Sequence, residues 1–240
     1  MIRKAVIVAA GLSSRLYPLT ANCPKSLLSL GGESLLARSV RLLRSSGIMD
    51  IAVVVGYRAE MIRDAMGDEV TCIPNPFYMH CNNMGSLWMA KGFVGADPVA
   101  YLHGDLIYGD AIIREFLVAT RSSRASIDLL TAFGPVDDEA MKVRVGASGR
   151  LIESNKAIPA TDAQGEWTGI AAIHRPAPVF AEIERHLMGA GLSDYDTAAF
   201  TSLVSAGEEV RCLPSSGEPW KEIDTIEDWE SARLEFEPGS

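Results

Sequence analysis

The fold of this chain is decided by its N-terminal stretch, which reads MIRKAVIVAAGLSSRLYPLTANCPK from Met1 to Lys25. The run from Ile2 to Val8 is apolar and rich in β-branched side chains, which is typical of a strand buried on both faces of a parallel sheet. Small residues follow this run, and they leave the backbone of the next loop open to a ligand. The stretch therefore predicts a buried strand that ends in a binding loop.

The loop after this strand has the composition of an anion site. Gly11, Ser13 and Ser14 offer unobstructed backbone amides, while Arg15 and Lys25 add positive charge. The Gly-Lys-Ser/Thr ending of a P-loop is missing, and no Gly-x-Gly-x-x-Gly pattern occurs. The loop is therefore predicted to bind a polyphosphate by a different arrangement.

The residues from Ala9 to Lys25 resemble the signature of the nucleotidyltransferases, which move a nucleoside monophosphate from a nucleoside triphosphate to a phosphorylated small molecule. That signature is a strand, Ala-Ala-Gly, two residues, Ser or Thr, Arg-Leu, one residue, Pro-Leu-Thr and then Pro-Lys. Many sugar-phosphate members have a glycine where this chain has Ser13. The form found here is more similar to the cytidylyltransferases that act on phosphocholine and on small phospho- or phosphono-compounds.

The resemblance implies an α/β fold with a Rossmann-like, mixed but mainly parallel sheet flanked by helices, as in nucleotide-diphospho-sugar transferases, and a small antiparallel acceptor-binding patch. A chain of 240 residues with 48% hydrophobic residues is long enough for one such core. We expect a single nucleotidyltransferase domain over 1–240, with a nucleotide-binding half at 1–125 and an acceptor-binding half at 126–240.

Charge and cysteine content limit the partners. The net charge of −9 argues against a nucleic-acid partner, because no surplus of basic residues is available to neutralise a phosphate backbone. The four cysteines form no Cys-x-x-Cys pair and are expected to be free thiols. The chain opens on a core strand without an apolar signal region and has no stretch of membrane-spanning length, so we expect no membrane partner and a cytoplasmic location. A homodimer is compatible with these features.

Strands and helices are predicted to alternate along the chain. Strands are expected at 51–55, 70–73, 99–103, 127–133, 142–145, 151–154, 168–174, 210–214 and 222–224. Helices are expected at 34–47, 59–66, 84–93, 178–188, 197–206 and 225–235, the last with a near capping box from Thr225 and Asp228.

Two carboxylates are predicted metal ligands. Asp105 follows the strand at 99–103, and ligands of open α/β folds bind at this edge of the sheet. By resemblance, Asp105 matches the family's aspartate after this strand, and Asp224 matches the aspartate of a late Glu-Ile-Asp segment. Since Mg²⁺ takes one or two carboxylates plus substrate oxygens, we expect both to hold Mg²⁺. The alternatives are a turn cap for Asp105 and a helix cap for Asp224.

The resemblance also implies the nucleotide site. Lys25 and Arg15 would act on the phosphates as catalytic cations. CTP would be bound by two segments, with residues Ala9, Ala10, Gly11, Leu12, Ser13, Ser14, Asn82, Asn83, Gly85 and Ser86. The choice of cytosine rests on resemblance alone, and Asn82-Asn83 also fits a helix N-cap.

The middle of the chain, with Lys142, Lys156 and Glu166, resembles the stretch that faces the acceptor in phosphocholine-type and inositol-phosphate-type cytidylyltransferases. We therefore expect the acceptor-binding residues to be Lys142, Lys156, Glu166 and Trp220. A quaternary ammonium group would need an aromatic cage, for which Trp167, Tyr195, Trp220 and Trp229 are available. A small phosphonate acid would need cations, which Arg144, Lys142, Lys156 and Lys221 offer. Phosphocholine, aminoethylphosphonate and phosphonoformate therefore all stay open.

The expected function is Mg²⁺-dependent transfer of CMP from CTP to a small phosphorylated alcohol or phosphonate, with release of pyrophosphate. Such a reaction needs no protein nucleophile, because positioning and charge neutralisation supply the catalysis. One alternative is a sugar-1-phosphate nucleotidyltransferase that makes a UDP-, dTDP- or GDP-sugar. The other is a non-catalytic nucleotide-binding regulatory protein.

Overall fold

The computed structural model describes residues 1–189 and 191–237. The strands are β1 Lys4–Ala9, β2 Ser29–Leu30, β3 Glu33–Ser34, β4 Asp50–Val55, β5 Thr71–Pro74, β6 Val99–His103, β7 Leu106–Tyr108, β8 Ile127–Phe133, β9 Lys142–Val145, β10 Leu151–Ser154, β11 Gly165–Ile173, β12 Val210–Pro214 and β13 Trp220–Glu222. The helices are α1 Leu35–Ser45, α2 Ala59–Met66, α3 Asn83–Met89, α4 Lys91–Val94, α5 Ile112–Ala119, α6 Pro176–Met188, α7 Asp196–Ser205 and α8 Ile226–Phe236.

A nine-stranded mixed sheet forms the centre of the fold, with the order β10-β9-β11-β6-β1-β4-β5 and with β8 joining β11 to β12. Strands β5, β4, β1 and β6 run parallel, whereas β11 is antiparallel to β6, β8 and β9. The predicted fold class is confirmed, including the antiparallel part of the sheet. Because β1 and β6 are parallel neighbours, the loops that follow them meet at one edge.

Strand β1 is buried on both faces, as its apolar run predicts. Ala5 and Ile7 belong to a hydrophobic cluster with side chains of α1, α2 and α5, while Val6 and Val8 face a second cluster with α3, α6 and α7. Alternation along the strand sends successive side chains to opposite faces. Helices therefore cover both faces of the sheet at its centre.

A third hydrophobic cluster lies under the loop that follows β1. It contains Leu16 from this loop, Leu35 from α1 and Ile223 from the segment after β13. Ile223 is fully buried, and burial of such a side chain contributes about 2 kcal/mol to stability. This cluster joins two segments that are far apart in sequence and fixes the positions of their polar neighbours.

Several predicted elements have different bounds in the structure. The predicted helix at 84–93 is two helices, because α3 ends at Met89 and α4 begins at Lys91. Gly92 lowers the helix propensity of this region, and the N–H of Ala90 bonds to the carbonyl of Leu87, three residues back. The predicted strand at 222–224 lies two residues earlier, as β13, and pairs antiparallel with β7. Helix α5 and strand β7 were not predicted.

Within the described part of the chain, none of the helices combines the length and the apolar character that crossing a membrane requires.

Candidate functional site

The loop after β1 presents free backbone amides. Ser13 has a left-handed backbone, with φ +52° and ψ +43°, and the Thr20 hydroxyl donates to its carbonyl at 2.8 Å. Among residues 1–189 and 191–237, the N–H groups of Gly11, Leu12 and Ser13 make no hydrogen bond. Successive backbone N–H groups in a turn that includes a left-handed residue, as Ser13 is, make an anion-binding concavity. The loop therefore has the local structure that phosphate binding requires.

Gly104 places Asp105 against this loop. Its N–H donates to the carbonyl of Val8 at 2.9 Å, and a Cβ on it would lie 2.8 Å from both that oxygen and the Cβ of Ala9. Only a glycine allows the ends of β1 and β6 to approach so closely. The Gly-Asp pair therefore brings a carboxylate to the edge of the sheet, as predicted.

Asp224 arrives at the same edge through β13. The N–H of Ile223 donates to the carbonyl of Asp105 at 2.9 Å, which ties the two segments together. Thr225 caps α8 in a complete capping box with Asp228. Because Thr225 supplies the cap, the carboxylate of Asp224 is left to face the loop after β1.

Two carboxylates and two cations meet at this edge. The Nζ atom of Lys25 lies 2.9 Å from Oδ2 of Asp105 and 2.6 Å from Oδ1 of Asp224. A guanidinium nitrogen of Arg15 lies 2.6 Å from Oδ2 of Asp224. We call these four residues the ion cluster. The structure thus brings together Arg15, Lys25, Asp105 and Asp224, the four residues for which the sequence analysis expects catalytic and metal-binding roles.

The charges of the ion cluster stabilise one another. Burial disfavours the protonated form of Lys25, but the two aspartates outweigh it and raise its pKa. Burial likewise disfavours the ionised form of Asp224, but Lys25 and then Arg15 lower its pKa. The lysine is therefore cationic and Asp224 anionic at neutral pH.

The donor set of the ion cluster fits a hard divalent cation. Both aspartates direct an oxygen to a single point, where the ammonium of Lys25 now lies. The other oxygen of Asp105, Oδ1, is buried without a hydrogen-bond partner among the described residues. Carboxylate oxygens are the ligands that Mg²⁺ prefers. Asp105 and Asp224 would hold such an ion.

Three adjoining cavities surround the ion cluster, and all three include Arg15 and Asp224. The loop cavity, of about 260 Å³, is lined by Ala9, Ala10, Gly11, Ser13, Ser14, Lys25, Ser26, Asn82, Asn83 and Asp105. The outer cavity, of about 450 Å³, is lined by Asp137, Glu139, Lys156, Glu166, Trp220, Lys221, Glu222 and Asp228. The central cavity, of about 150 Å³, is lined by Asn83, His103, Asp105, Lys156, Trp167, Tyr195 and Glu222. The ion cluster therefore lies where the three cavities meet.

Three of the predicted nucleotide-binding residues lie outside the loop cavity. Leu12 points to solvent with 41% of its surface exposed. Gly85 packs against Cys81, whose Sγ would lie 2.8 Å from an added Cβ. The buried Ser86 hydroxyl accepts a hydrogen bond from Asn75 at 3.0 Å. These two residues support the segment that carries Asn82, the N-cap residue of α3.

Of the four predicted acceptor-binding residues, Lys156, Glu166 and Trp220 line the outer cavity and Lys142 does not. Lys142 is only 2% exposed, and its ammonium donates to the carbonyls of Asp138 at 2.7 Å and of Lys156 at 2.9 Å. Two of the three N–H donors of the ammonium are therefore bonded to backbone carbonyls of the protein itself. The structure thus places Lys142 behind the cavity wall, where it fixes the backbone of Lys156.

His103 is a site residue that sequence reasoning missed. Its Nε2 lies 3.0 Å from Oδ2 of the buried Asp196, which also accepts from the Tyr101 hydroxyl at 2.6 Å. Burial lowers the pKa of His103, but Asp196 and then Asp105 more than compensate and raise it to about 9. An imidazolium therefore faces the central cavity beside Asn83.

Glu222 is the second missed residue. Its side chain is partly exposed, but loss of water around the carboxylate in the cleft, and then the charges of Asp105 and Asp224, raise its pKa above the ordinary value of a glutamate. Its carboxylate, His103 and Asp105 bring ligand atoms within 4.8 Å of one another. His103 and Glu222 are the last residues of β6 and β13, and each lies two residues before a predicted metal ligand. That spacing was the available signal.

The MobA-like NTP transferase domain matches this chain over residues 5–187. The chain belongs to this family. A relative named CMP-5'-(3-aminopropyl)phosphonate synthase, from Streptomyces rubellomurinus, is 30% identical over 98% of this chain and 39% of its own length. A bifunctional IPC transferase and DIPP synthase from Rubrobacter xylanophilus is 31% identical over 93% of this chain and 50% of its own length. The chain thus spans half of these relatives or less.

Two further similarities concern the sugar-nucleotide branch and the fold. A glucose-1-phosphate thymidylyltransferase from Streptomyces griseus is 26% identical over 94% of this chain and 63% of its own length. The solved structure of a CTP:phosphocholine cytidylyltransferase from Streptococcus pneumoniae superimposes with a TM-score of 0.81 at 21% identity, covering 97% of this chain and 98% of that one. At this identity the superposition shows that the two proteins share a fold, and it says nothing about the substrate of this chain.

Proposed function

We propose that this protein transfers CMP from CTP to a small phosphonate or phosphorylated alcohol, requires Mg²⁺ and releases pyrophosphate. The observation that carries this proposal is the position of the ion cluster between the amide-rich loop cavity and the outer cavity. A triphosphate in the first and an anionic acceptor in the second would meet at Lys25 and Arg15. Family membership and the name of the aminopropylphosphonate relative support the choice of reaction.

The reaction has simple requirements. An oxygen of the acceptor phosphonate or phosphate attacks the α-phosphorus of CTP, a new P–O bond forms, and the bond to the β-phosphate oxygen breaks. Lys25 and Arg15 would neutralise charge on the phosphates as they approach, and Asp105 and Asp224 would hold the divalent cation. When bound, that ion supplies charge neutralisation and a template for the phosphate oxygens. No protein atom forms a covalent bond with the substrate.

The loop cavity would bind the nucleotide. The free amides of Gly11 and Ser13, which line this cavity, would cradle phosphate oxygens. Asn82 and Asn83 line the same cavity and offer amide groups to the edge of the base. Cytosine is favoured by the CMP product named for the aminopropylphosphonate relative.

The outer cavity favours an acceptor that carries a positive group at its far end. Five of its described lining carboxylates lie beyond the ion cluster, against two lysines: Asp137, Glu139, Glu166, Glu222 and Asp228, with Lys156 and Lys221. An ammonium group is attracted by this excess of negative charge. Phosphonoformate, which has a carboxylate instead, fits this lining less well.

The aromatic residues favour a primary ammonium over a quaternary one. Among the described residues, Trp220 is the one aromatic side chain of the outer cavity, while Trp167 and Tyr195 line the central cavity. Trp229 packs into the hydrophobic cluster under the loop. The four aromatics therefore form no common cage, which a quaternary ammonium would need. An aminoalkylphosphonate is our preferred acceptor class.

A sugar-1-phosphate nucleotidyltransferase is the second candidate, and the glucose-1-phosphate thymidylyltransferase relative favours it. Sugar hydroxyls also bind carboxylates, so the lining of the outer cavity permits a hexose. A non-catalytic nucleotide-binding protein is a weaker candidate, since Lys25, Asp105 and Asp224 are all present and assembled. The division of the chain at 125, a homodimer and a cytoplasmic location stay predictions.

The test is a pyrophosphate-release assay with Mg²⁺, in which CTP, UTP, dTTP, ATP and GTP are each combined with aminoethylphosphonate, aminopropylphosphonate, phosphocholine, phosphonoformate and glucose 1-phosphate. We expect release with CTP and an aminoalkylphosphonate. Lys25→Ala and Asp105→Ala should each lower kcat by about a hundredfold or more, because each removes transition-state charge stabilisation. Lys91→Ala, which removes a surface lysine paired with Glu184, is the matched control and should keep full activity. Release with a hexose phosphate alone would favour the second candidate.

A further inference from the structure

We propose that Lys25 occupies the place of the divalent cation between Asp105 and Asp224 until a bound triphosphate draws its ammonium away, so that nucleotide and metal bind as a coupled pair. The inference rests on the proposed function for the identity of the two ligands. It concerns the order and linkage of their binding, which the reaction itself does not determine.

Lys25 is positioned to fill this place. Its Nζ atom contacts both aspartates, at 2.9 and 2.6 Å, and its side chain is only 11% exposed. Arg15 takes the second oxygen of Asp224. The remaining oxygen, Oδ1 of Asp105, is buried and has no partner among the described residues. The pair of carboxylates therefore has a resident cation and one unused ligand atom.

A divalent ion and this ammonium exclude one another. Mg²⁺ needs carboxylate oxygens at about 2.0–2.1 Å, and one oxygen of each aspartate, Oδ2 of Asp105 and Oδ1 of Asp224, already contacts Nζ. Two like charges cannot share that point at low cost in a partly buried site. The ion can therefore enter the pair only when Nζ moves to another anion.

The loop cavity supplies that anion when a triphosphate is bound. Lys25 and the amide-bearing loop residues line the same cavity, so phosphate oxygens held there lie beside the lysine. Movement of the ammonium from the aspartates to the phosphates would free the carboxylates for the metal. By linkage, the metal would strengthen nucleotide binding by the same factor. The result is a device that holds the metal firmly only when the nucleotide is present.

The experiment measures Mn²⁺ affinity by titration calorimetry, with and without cytidine 5'-(α,β-methylene)triphosphate, which cannot be cleaved at the reacting bond. Wild-type protein should bind Mn²⁺ weakly alone and at least tenfold more tightly with the analogue. Lys25→Met should bind Mn²⁺ at least tenfold more tightly than wild type without nucleotide, and its gain from the analogue should be smaller. Lys25→Arg, which keeps the charge, should stay close to wild type.

Two controls identify the site. Lys156→Met removes a cation of the outer and central cavities that contacts neither aspartate of the ion cluster, and it should change Mn²⁺ affinity far less than Lys25→Met. Adding Asp105→Asn to Lys25→Met should abolish the gain in affinity. Thermal unfolding in EDTA checks that the variants are folded, and Mn²⁺ should raise the Tm of Lys25→Met more than that of wild type.

The proposal is overturned if Lys25→Met binds Mn²⁺ no more tightly than wild type, or if the analogue leaves the Mn²⁺ affinity of wild type unchanged. These outcomes are separate from failure of the proposed function. An enzyme that is inactive on every acceptor can still show the coupling, and an active cytidylyltransferase can lack it.

Discussion

At the scale of single residues, Ser13 shows how a departure from a family pattern becomes a structural cost. Its φ of +52° lies in the left-handed region, where a side chain costs about 1 kcal/mol relative to glycine. Ser13→Gly should therefore raise the free energy of unfolding by about 0.5–1 kcal/mol, as measured in urea. Ser14→Gly, at the next position, starts a right-handed turn and should lower it instead. Equal effects of the two changes would contradict this account.

Glu166 is the residue that best tests the charge preference of the outer cavity. Burial first, and then Asp137, raise its pKa, and no described residue forms an ion pair with it. We predict that Glu166→Gln raises the KM for aminoethylphosphonate about tenfold, which corresponds to about 1.4 kcal/mol. The KM for methylphosphonate, which has no ammonium, should change little. The same shift for both acceptors would place Glu166 outside the ammonium site, and Glu153→Gln serves as a control outside the cavity.

Single site residues could be predicted from the sequence where a short motif marks them. Lys25, Asp105 and Asp224 were predicted because short motifs mark them, and the structure assembles them. Lys142 has the same chemistry as Lys156, but strand β9 turns it into the interior, and only the fold determines that direction. His103 escaped prediction because its role depends on the distant Asp196.

At the scale of elements, Gly104 is the junction between β1 and β6. A Cβ there would lie 2.8 Å from Ala9 and from the carbonyl of Val8, so Gly104→Ala forces the strand ends apart. The change should destabilise the protein by about 1–3 kcal/mol and weaken Mn²⁺ binding through displacement of Asp105. Gly92→Ala is the matched control, because nothing lies within 4 Å of its added Cβ and alanine favours α4. The free energy of unfolding of Gly92→Ala should rise by about 0.5–1 kcal/mol. If Gly92→Ala lost as much stability as Gly104→Ala, the close approach of β1 and β6 at Gly104 would not be the cause.

Asp128 joins the ends of three strands far from the cleft. It is fully buried on β8 and lies 2.9 Å from His174, after β11, and 2.8 Å from Arg211 on β12. Burial raises its pKa, but hydrogen bonds from His174 and then Arg211 lower it below the ordinary value. A depressed pKa stabilises the fold above the unfolded value of about 3.9, and this contribution disappears as the pH falls through the folded value.

Asp128→Asn should therefore cost about 2 kcal/mol at pH 7, because the two partners lose their anion. The difference between wild type and variant should shrink as the pH falls below about 4, because the unfolded wild-type chain takes up the Asp128 proton there, and it should vanish once the pH passes below the depressed folded pKa. Urea unfolding at a series of pH values measures this difference. A gap that stays constant from pH 7 to pH 3 would show that the charge of Asp128 is unimportant.

Element bounds were predictable where periodicity and caps were strong. Helix α2 has the predicted bounds, and Thr225 with Asp228 caps α8 as expected. The pairing of β13 with β7 was not predictable, since both strands are three residues long and their partnership spans most of the second half of the chain. That pairing is what delivers Asp224 to the site.

At the scale of the whole molecule, an acidic protein concentrates cations at the place where anions must meet. The net charge is −9, yet Arg15, Lys25 and the protonated His103 lie around one edge of the sheet, with Lys156 beside them. The outer cavity beyond them is rich in carboxylates. This arrangement separates a region suited to phosphates from one suited to an ammonium, as an aminoalkylphosphonate would require.

The fold class could be predicted from the sequence, because the first strand and the loop motif after it resemble the signature of a known family. The acceptor could not be predicted from the sequence. The lining of the outer cavity includes residues of β11, β13, α8 and the loop before β9, which only the folded chain brings together. Contacts of this kind leave no local pattern in the sequence.

The most direct test of the central claim is mass-spectrometric analysis of a reaction that contains the protein, CTP, Mg²⁺ and aminoethylphosphonate. The account predicts a CMP–aminoethylphosphonate conjugate and one pyrophosphate per conjugate, both lost in Asp105→Ala. A conjugate that forms only with glucose 1-phosphate, or no conjugate with any acceptor tested, would contradict it.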